Sequence, residues 1–443
     1  NNFKEDKMKK IISILLVVLM LFSLVACGSS NTEPEKPAEP DTPAPSEQPA
    51  EPDDSAEPAE PADEGGITSV TQLEKGCGWD IINASDDATL SASKVSAQLA
   101  ADNGLSTVGW YSDDVDWQGR DPYKIMYIYG ATMVIHTTLC EAIRQDWVSR
   151  LNIEFEQCDC NSNIDTMLTN VETYATLGYD GLMVDPDPQI SERMVELCAE
   201  LEMPWMPMWN PICNTEGVRI YPGVSLDSAY CGEMEIKWLE ENYTRFWGDI
   251  DTSKLGCIFI FATSNQNFID NMDGAKAEFT AKYPEGTFFE ADTLAEANPY
   301  NTEAGYNVSG ALMAAHKEIE YWFVATCLED VGQGAARAAE SQGIDDKVLV
   351  VTNGANILIP AWRDGSESGT CWVAGLHYGM NMLAEPVLCG LIALIEGRAT
   401  PDNLFVEWIK PGETGANVRC DWRIVGEDEY QDYLDYIDAY LAR

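Results

Sequence analysis

The chain has 443 residues, 45% of them hydrophobic, and a formal net charge of −47 at pH 7 from 74 acidic and 27 basic side chains. Such a length predicts two or three domains, each able to bury a core. The charge excludes nucleic acid and anionic lipid headgroups as partners, because so acidic a surface repels both.

Residues 1–7 are mostly polar and precede Met8, which makes Met8 the expected start. Lys9 and Lys10 follow, then an apolar run over residues 11–26, then Cys27. The run is short of the about 20 apolar residues that a membrane span needs. Its basic start and the small residue before Cys27 fit an export signal. The stretch LVAC, ending at Cys27, resembles the lipobox of bacterial lipoproteins. That resemblance implies cleavage before Cys27 and a diacylglycerol on its sulfur, making Cys27 the expected lipid anchor on the outer face of a bacterial cell membrane. An uncleaved signal anchor is the alternative. Residues 27–66 are dominated by Glu, Asp, Pro, Ala and Ser from residue 31 onward. Low hydrophobicity and high charge predict a disordered tether, which its prolines keep extended.

The remaining twelve cysteines are scattered, several inside apolar runs such as CIFIF, where Cys acts as a small hydrophobe. Cys158-Asp-Cys160 is a weak metal hint that no CxxC pair supports. No metal and no cofactor is expected. Residues 67–122 form an N-terminal extension of unknown role, with one short helix expected in SASKVSAQLAADNG. DVDWQG, starting at Asp114, copies the opening of a calcium loop, but the twelfth position is Ile125, so a plain acidic turn is expected.

From Lys124 the pattern becomes regular. KIMYIYG, NIEFEQCD, GLMVDP and PWMPMW read as strands, with helical periodicity between them, and another strand lies near RIYPGVS. The alternation then repeats: KLGCIFIFA, GTFFEAD, YWFVATC, KVLVVT and GTCWVAGL read as strands. The helices between them are read in SAYCGEMEIKWLEENY, NFIDNMDGAKAEFTAKY, SGALMAAHKEIE and VGQGAARAAESQ, and a long one ends at Ile395. Strands separated by helices imply right-handed crossovers and parallel sheets. The fold class is therefore α/β, with two doubly wound parallel-sheet domains joined by a three-segment hinge. The first holds residues 123–226 with 378–406, and the second residues 227–377 with 407–443. Ligands bind such sheets beyond the carboxyl ends of the strands, so two facing units imply a cleft between them.

Gly332 and Gly334 follow the eighth strand and imitate a dinucleotide loop. Arg337 stands where a third glycine would be, and Glu329 and Asp330 would repel a pyrophosphate. The expectation is that these glycines let a helix start close to the sheet.

The phrases LGYDGLMVDPDP, MPWMPMWN, YPGVSLDSAYCG, ALMAAHKEIEYWFVATCLEDVGQGAARA, VLVVTNGAN and LCGLIALIEG occur in that order over residues 123–409. Together they resemble the type I periplasmic binding proteins, the solute-binding proteins of sugar ABC importers. The resemblance implies a cleft that closes on a sugar or related polyol and delivers it to an ABC permease. It also implies the contact positions. Asp330 falls where the family places a carboxylate for ligand hydroxyls, and His136 where an aromatic often stacks on a sugar ring. Trp209 and Asn210 stand where relatives often have Asp and Arg, and Asn271 lies near a frequent Arg. Asn353 takes a frequent Asp position, Tyr378 is near a frequent Gln, and Asp185 and Asp187 flank Pro186 at the rim. Most departures replace charged groups with amides or aromatics, so the position of the site is implied more firmly than the ligand. Most of the 13 tryptophans are expected in core or surface packing, and one or two in the cleft would suit a pyranose.

No GxSxG elbow, HExxH or phosphate loop GxxxxGK[ST] is present, so an enzyme is not expected. A sensor of the same fold acting on a membrane kinase, and a nucleoside-binding lipoprotein, are the alternatives.

Overall fold

Continuous apolar runs become strands covered on both faces, and the segments between them become helices. The computed structural model describes residues 73, 76–85, 90–130, 132–161 and 163–443. The leader, Cys27 and the acidic tether lie outside the described residues.

Helices α1 (Gly78–Asn83) and α2 (Ala92–Asn103) come first. One sheet takes β1 (Tyr123–Tyr129), β2 (Ile153–Asp159), β3 (Gly181–Val184), β4 (Trp205–Trp209) and β5 (Gly223–Ser225). Its crossovers are α3 (Val134–Ala142, continued through a π turn to Leu151), α4 (Ile164–Thr176) and α5 (Ser191–Glu200). Helix α6 (Ser228–Trp247) leads to the other sheet. That sheet takes β6 (Leu255–Phe261), β7 (Thr287–Asp292), β8 (Tyr321–Thr326), β9 (Val348–Thr352) and β10 (Trp372–Tyr378). Between these strands run α7 (Gln266–Lys282), α8 (Thr302–Ala315), α9 (Glu329–Gln342) and α10 (Leu358–Asp364). Helix α11 (Met380–Ile395) returns to the first sheet, and β11 (Asn417–Arg419), β12 (Trp422–Gly426) and α12 (Tyr430–Leu441) complete the chain.

The strand orders are β11-β5-β4-β3-β1-β2 and β12-β10-β9-β8-β6-β7. Every pairing is parallel except β10 with β12. Each sheet winds outward both ways from its first strand, β1 or β6, which is the doubly wound pattern. All seven residues of β6, LGCIFIF, are buried, as a parallel strand covered on both faces requires. The expected fold class is the observed one.

Gly332 and Gly334 do what the sequence suggested. A Cβ at Gly332 would lie 2.0 Å from Thr352 Cγ2, and one at Gly334 would lie 2.1 Å from the Thr302 carbonyl oxygen. These glycines let α9 approach β9 and α8. Helix α8 differs from its expected span. It starts at Thr302, where the Asn301 side chain accepts from Ala304 N at 2.9 Å, and it stops at Ala315. Residues 316–320 therefore form a turn, not the end of that helix.

Two other placements were not foreseen. The third crossing between sheets falls at residues 420–421, not after residue 406: β11 pairs with β5, and Trp408, Ile409, Ala416 and Val418 pack in the first lobe's core. Three-residue β11 has polar ends, Asn417 and Arg419, and shows no apolar run to read. The extension also has a structural place. Trp79 Nε1 donates to the Asn417 carbonyl at 2.7 Å, and Ser96 Oγ donates to Glu407 at 2.6 Å. Asp421 accepts from Ala92 N at the start of α2 at 3.0 Å. Residues 76–122 thus cover the first lobe beside the third crossing.

DVDWQG forms turns, with Trp117 buried and its Nε1 donating to the Ser112 carbonyl at 2.9 Å. Asn170 Nδ2 donates to both Cys158 and Cys160 sulfurs, at 3.2 and 3.4 Å. The twelve cysteines of the described residues are free thiols, and among those residues no helix is long and apolar enough to cross a membrane.

Glu235 on α6 is fully buried and neither carboxyl oxygen has a hydrogen-bond partner. Burial holds its pKa well above the ordinary 4.5. The folded chain therefore binds a proton that the unfolded chain releases above 4.5. Stability falls as pH rises from the unfolded value toward the folded one, by about 1.4 kcal/mol per pH unit. Glu235→Met fills the space without a polar group. It is expected to raise stability at neutral pH by about 1–3 kcal/mol, the cost of an unsatisfied buried group. Urea unfolding on either side of this window checks it: the variant's advantage should grow with pH.

Candidate functional site

The carboxyl ends of both sheets face one another across a cavity of about 800 Å³. From the first lobe it is lined by the loop after β1, the start of α3 and the loops after β3 and β4. From the second it is lined by the loops after β6 to β9, the start of α9 and the end of β10. This is the crevice where open α/β sheets take ligands.

His136 lies in the first turn of α3 and is 2% exposed. Its ring stacks on Tyr129 with centroids 4.8 Å apart, and Nδ1 is 2.7 Å from the Tyr127 hydroxyl. Burial pushes its pKa down to about 4, so the imidazole is neutral at physiological pH. His136 Nε2 faces Asp185 Oδ2 at 3.6 Å, too far for a hydrogen bond. Asp185 is pushed up to about 7 by burial, partly offset by Asn210 Nδ2, which donates to Oδ1 at 2.7 Å.

Asn210 Oδ1 in turn accepts from Asn267 Nδ2 at 2.5 Å. Asn210 follows β4 and Asn267 lies in α7, so this bond joins the two lobes. Removing it should loosen the closed form. Asn267→Ala is expected to weaken solute binding by about two- to tenfold, the worth of one neutral hydrogen bond, with no change in unfolding midpoint. Calorimetric titration and a thermal melt on the variant check both halves.

Asp330 lines the second wall from the first turn of α9. It is half-buried, and burial raises its pKa, opposed only by its own backbone N–H. The side chain is not the helix cap, because Leu328 holds that position. Asn353 follows β9 and accepts from the Tyr378 hydroxyl at the end of β10; both line the cavity. Asp187 lines the rim and accepts from Gln189 N at 2.9 Å.

Two expected contacts lie elsewhere. Asn271 is buried between helices, with Nδ2 donating to the Ser228 carbonyl at 3.2 Å. Its own carbonyl oxygen would lie 1.9 Å from a Cβ at Gly232. It therefore fastens α7 to α6 and does not line the cavity. Trp209 sits behind the wall, its ring edge-on to Tyr378 with centroids 5.6 Å apart. Its φ of 66° bends the chain sharply at the end of β4, directing Asn210 to the cavity in its place. Among the described residues no tryptophan lines the cavity, not even Trp209, which was expected there. The rings there are His136, Phe268, Tyr300 and Tyr378.

Phe268, Tyr300 and Glu329 were not foreseen. Phe268 packs edge-on to Tyr300, whose hydroxyl is 2.7 Å from Ser264 Oγ. A sequence signal for Phe268 exists: it is the third residue of the helix after β6, as His136 is the third residue of the helix after β1. Glu329 is 5% exposed and accepts from the backbone N–H groups of Asn356, Ile357 and Leu358 at 2.9, 2.6 and 2.9 Å. Burial outweighs these bonds and pushes its pKa up to about 7.

The cavity thus offers carboxyl and amide groups, four rings and apolar patches from Met133, Ile135, Ile164 and Met167. Among the described residues no lysine or arginine lines it, which disfavours carboxylate or phosphate ligands.

No family model and no curated protein matches the chain. Solved structures do. A periplasmic solute-binding protein of an ABC transporter from Actinobacillus succinogenes, with bound D-allose, is 15% identical. Its TM-score is 0.56, over 71% of this chain and 100% of that one. An ABC transporter solute-binding protein from Bacillus halodurans with bound myo-inositol gives 13%, 0.55, 72% and 99%. A carbohydrate transporter solute-binding protein from Agrobacterium radiobacter in complex with D-arabinose gives 13%, 0.54, 72% and 98%. The chain has the fold of the type I periplasmic binding proteins.

Proposed function

We propose that the chain is an extracytoplasmic solute-binding protein of an ABC importer, holding a sugar or related polyol between its lobes and delivering it to a membrane permease. The observation that carries this reading is the cavity itself. It joins stacking-capable rings to convergent carboxyl and amide groups, as a ring with an apolar face and many hydroxyls requires. The ligand contacts are His136, Asp185, Asp187, Asn210, Asp330, Asn353 and Tyr378. Trp209 supports Tyr378 from behind. Closure around the solute creates the surface that the permease reads.

Differential scanning fluorimetry against sugars, cyclitols, nucleosides and amino acids tests this. A solute at about 100 times its dissociation constant should add about 2.7 kcal/mol to stability. A response to nucleosides alone would replace the polyol with a nucleoside.

The anchor is proposed separately, on the basic start, the apolar run and LVAC before Cys27. Cys27→Ser should release the protein from membranes with its binding intact, because the acyl linkage needs the thiol. A serine variant that stays with salt-washed membranes contradicts this.

A further inference from the structure

The ionisable side chains that line the cavity are one-sided, acidic without cationic partners among the described residues. Four carboxyl side chains line it, Asp185, Asp187, Glu329 and Asp330, and among the described residues no lysine or arginine does. They are not equally engaged. Glu329 is taken up by three backbone N–H groups. Asp187 accepts from Gln189 N at the rim, and Asp185 accepts from Asn210 with one oxygen only. Asp330 is half-buried, and the one donor to it among the described residues is its own backbone N–H.

On the opposite wall a second polar group is left without a partner. His136 Nε2 belongs to a side chain 2% exposed, lines the cavity and has no hydrogen-bond partner. Burial keeps this imidazole neutral, so it supplies no compensating charge. A neutral ring seated in the cavity would take the Asp330 carboxylate further out of water with hydroxyl donors alone to offset the loss. A buried charge needs both donors and a counter-charge. Without a counter-charge the carboxyl is driven toward its protonated form, and a cationic group on the ligand supplies one.

Resting on the binding reading above, we propose that the solute is a polyhydroxylated ring bearing a protonated amine, an amino sugar or amino cyclitol, with its ammonium group set against Asp330. The hydroxyls meet the amides of Asn210 and Asn353, and the apolar ring face lies against the aromatic side chains. The strongly acidic surface favours this ligand before contact as well, since it raises the local concentration of a cation.

The test titrates the full chain with D-glucosamine, D-galactosamine and D-mannosamine, with the parent hexoses, with the N-acetyl derivatives, and with spermidine as an amine lacking the ring. At least one amino sugar should bind about tenfold or more tighter than both its parent and its N-acetyl form, the effect of one charge-assisted bond. Added salt should shrink that preference, and Asp330→Asn should abolish it. A hexose or N-acetyl sugar that binds as tightly as the amine overturns the proposal and leaves the polyol reading standing. Spermidine binding without any amino sugar overturns the ring. No response to any of these compounds overturns the amine and counts against the polyol together.

Discussion

Asp330→Ala is expected to weaken solute binding by about 100-fold or more. Two hydrogen bonds to a charged acceptor, each contributing roughly 1.5–3 kcal/mol, give a loss of that order. Asp330→Asn keeps the shape but trades an acceptor for a donor, and about tenfold is expected from one bond lost. The ligand-free protein should keep its unfolding midpoint. Asp330 accepts only from its own backbone N–H, and burial already disfavours its charge, so deletion relieves a cost while losing a favourable place near a helix N-terminus. Calorimetric titration and an unfolding curve on both variants check this. Normal affinity with lowered stability would remove Asp330 from the site.

Glu329→Ala, unlike the Asp330 variants, should also lower stability, by about 2–3 kcal/mol. Three backbone N–H groups ahead of and into α10 lose their acceptor, and Leu358 N is buried. An unsatisfied buried donor costs about 1–3 kcal/mol. Glu329→Gln keeps an oxygen and separates the bond from the charge. The folded pKa, near 7, lies above the ordinary 4.5, so the wild type holds a proton that the unfolded chain gives up. Its stability from this group is complete below 4.5 and declines as pH rises toward 7. The glutamine variant lacks this decline. Its stability relative to wild type should therefore improve across that window, measured by urea unfolding at several pH values. Affinity also falls in the alanine variant, because the loop it holds carries Asn353 and Asn356 to the cavity.

Much of the fold was legible because buried parallel strands such as β1, β6, β8 and β9 leave apolar runs, and ten strand readings, most of them separated by helical periodicity, admit few topologies. What escaped reading was short or polar. β11 has three residues, and β12, TrpArgIleValGly in sequence, is only partly buried and pairs at an edge. In the extension helix α2 was legible, in SASKVSAQLAADNG, but its packing was not, because anchoring contacts such as Trp79 to Asn417 span more than 300 positions.

The cavity was legible as a location and less so as a set of lining side chains. The chain repeats its layout: Asn210 and Asn353 each follow the fourth strand of a lobe, as His136 and Phe268 each open the helix after the first strand. Such positions are fixed by topology. Asn271 was misplaced because it lies one turn beyond Phe268, on the part of α7 that packs against α6, and residue type alone does not separate those surroundings. The tryptophans misled for a different reason. Trp147, Trp205, Trp372 and Trp408 are among the largest fully buried side chains, where ring area contributes most to the core.

The most direct measurement is a crystal structure of the chain with the solute that the thermal-shift panel selects. One solute molecule should lie between the two sheets, with hydroxyl or amine groups within hydrogen-bond distance of Asp330 and Asn353 and a ring face against an aromatic side chain. Density for the solute anywhere outside this cavity, or in it without contact to either residue, would contradict the account.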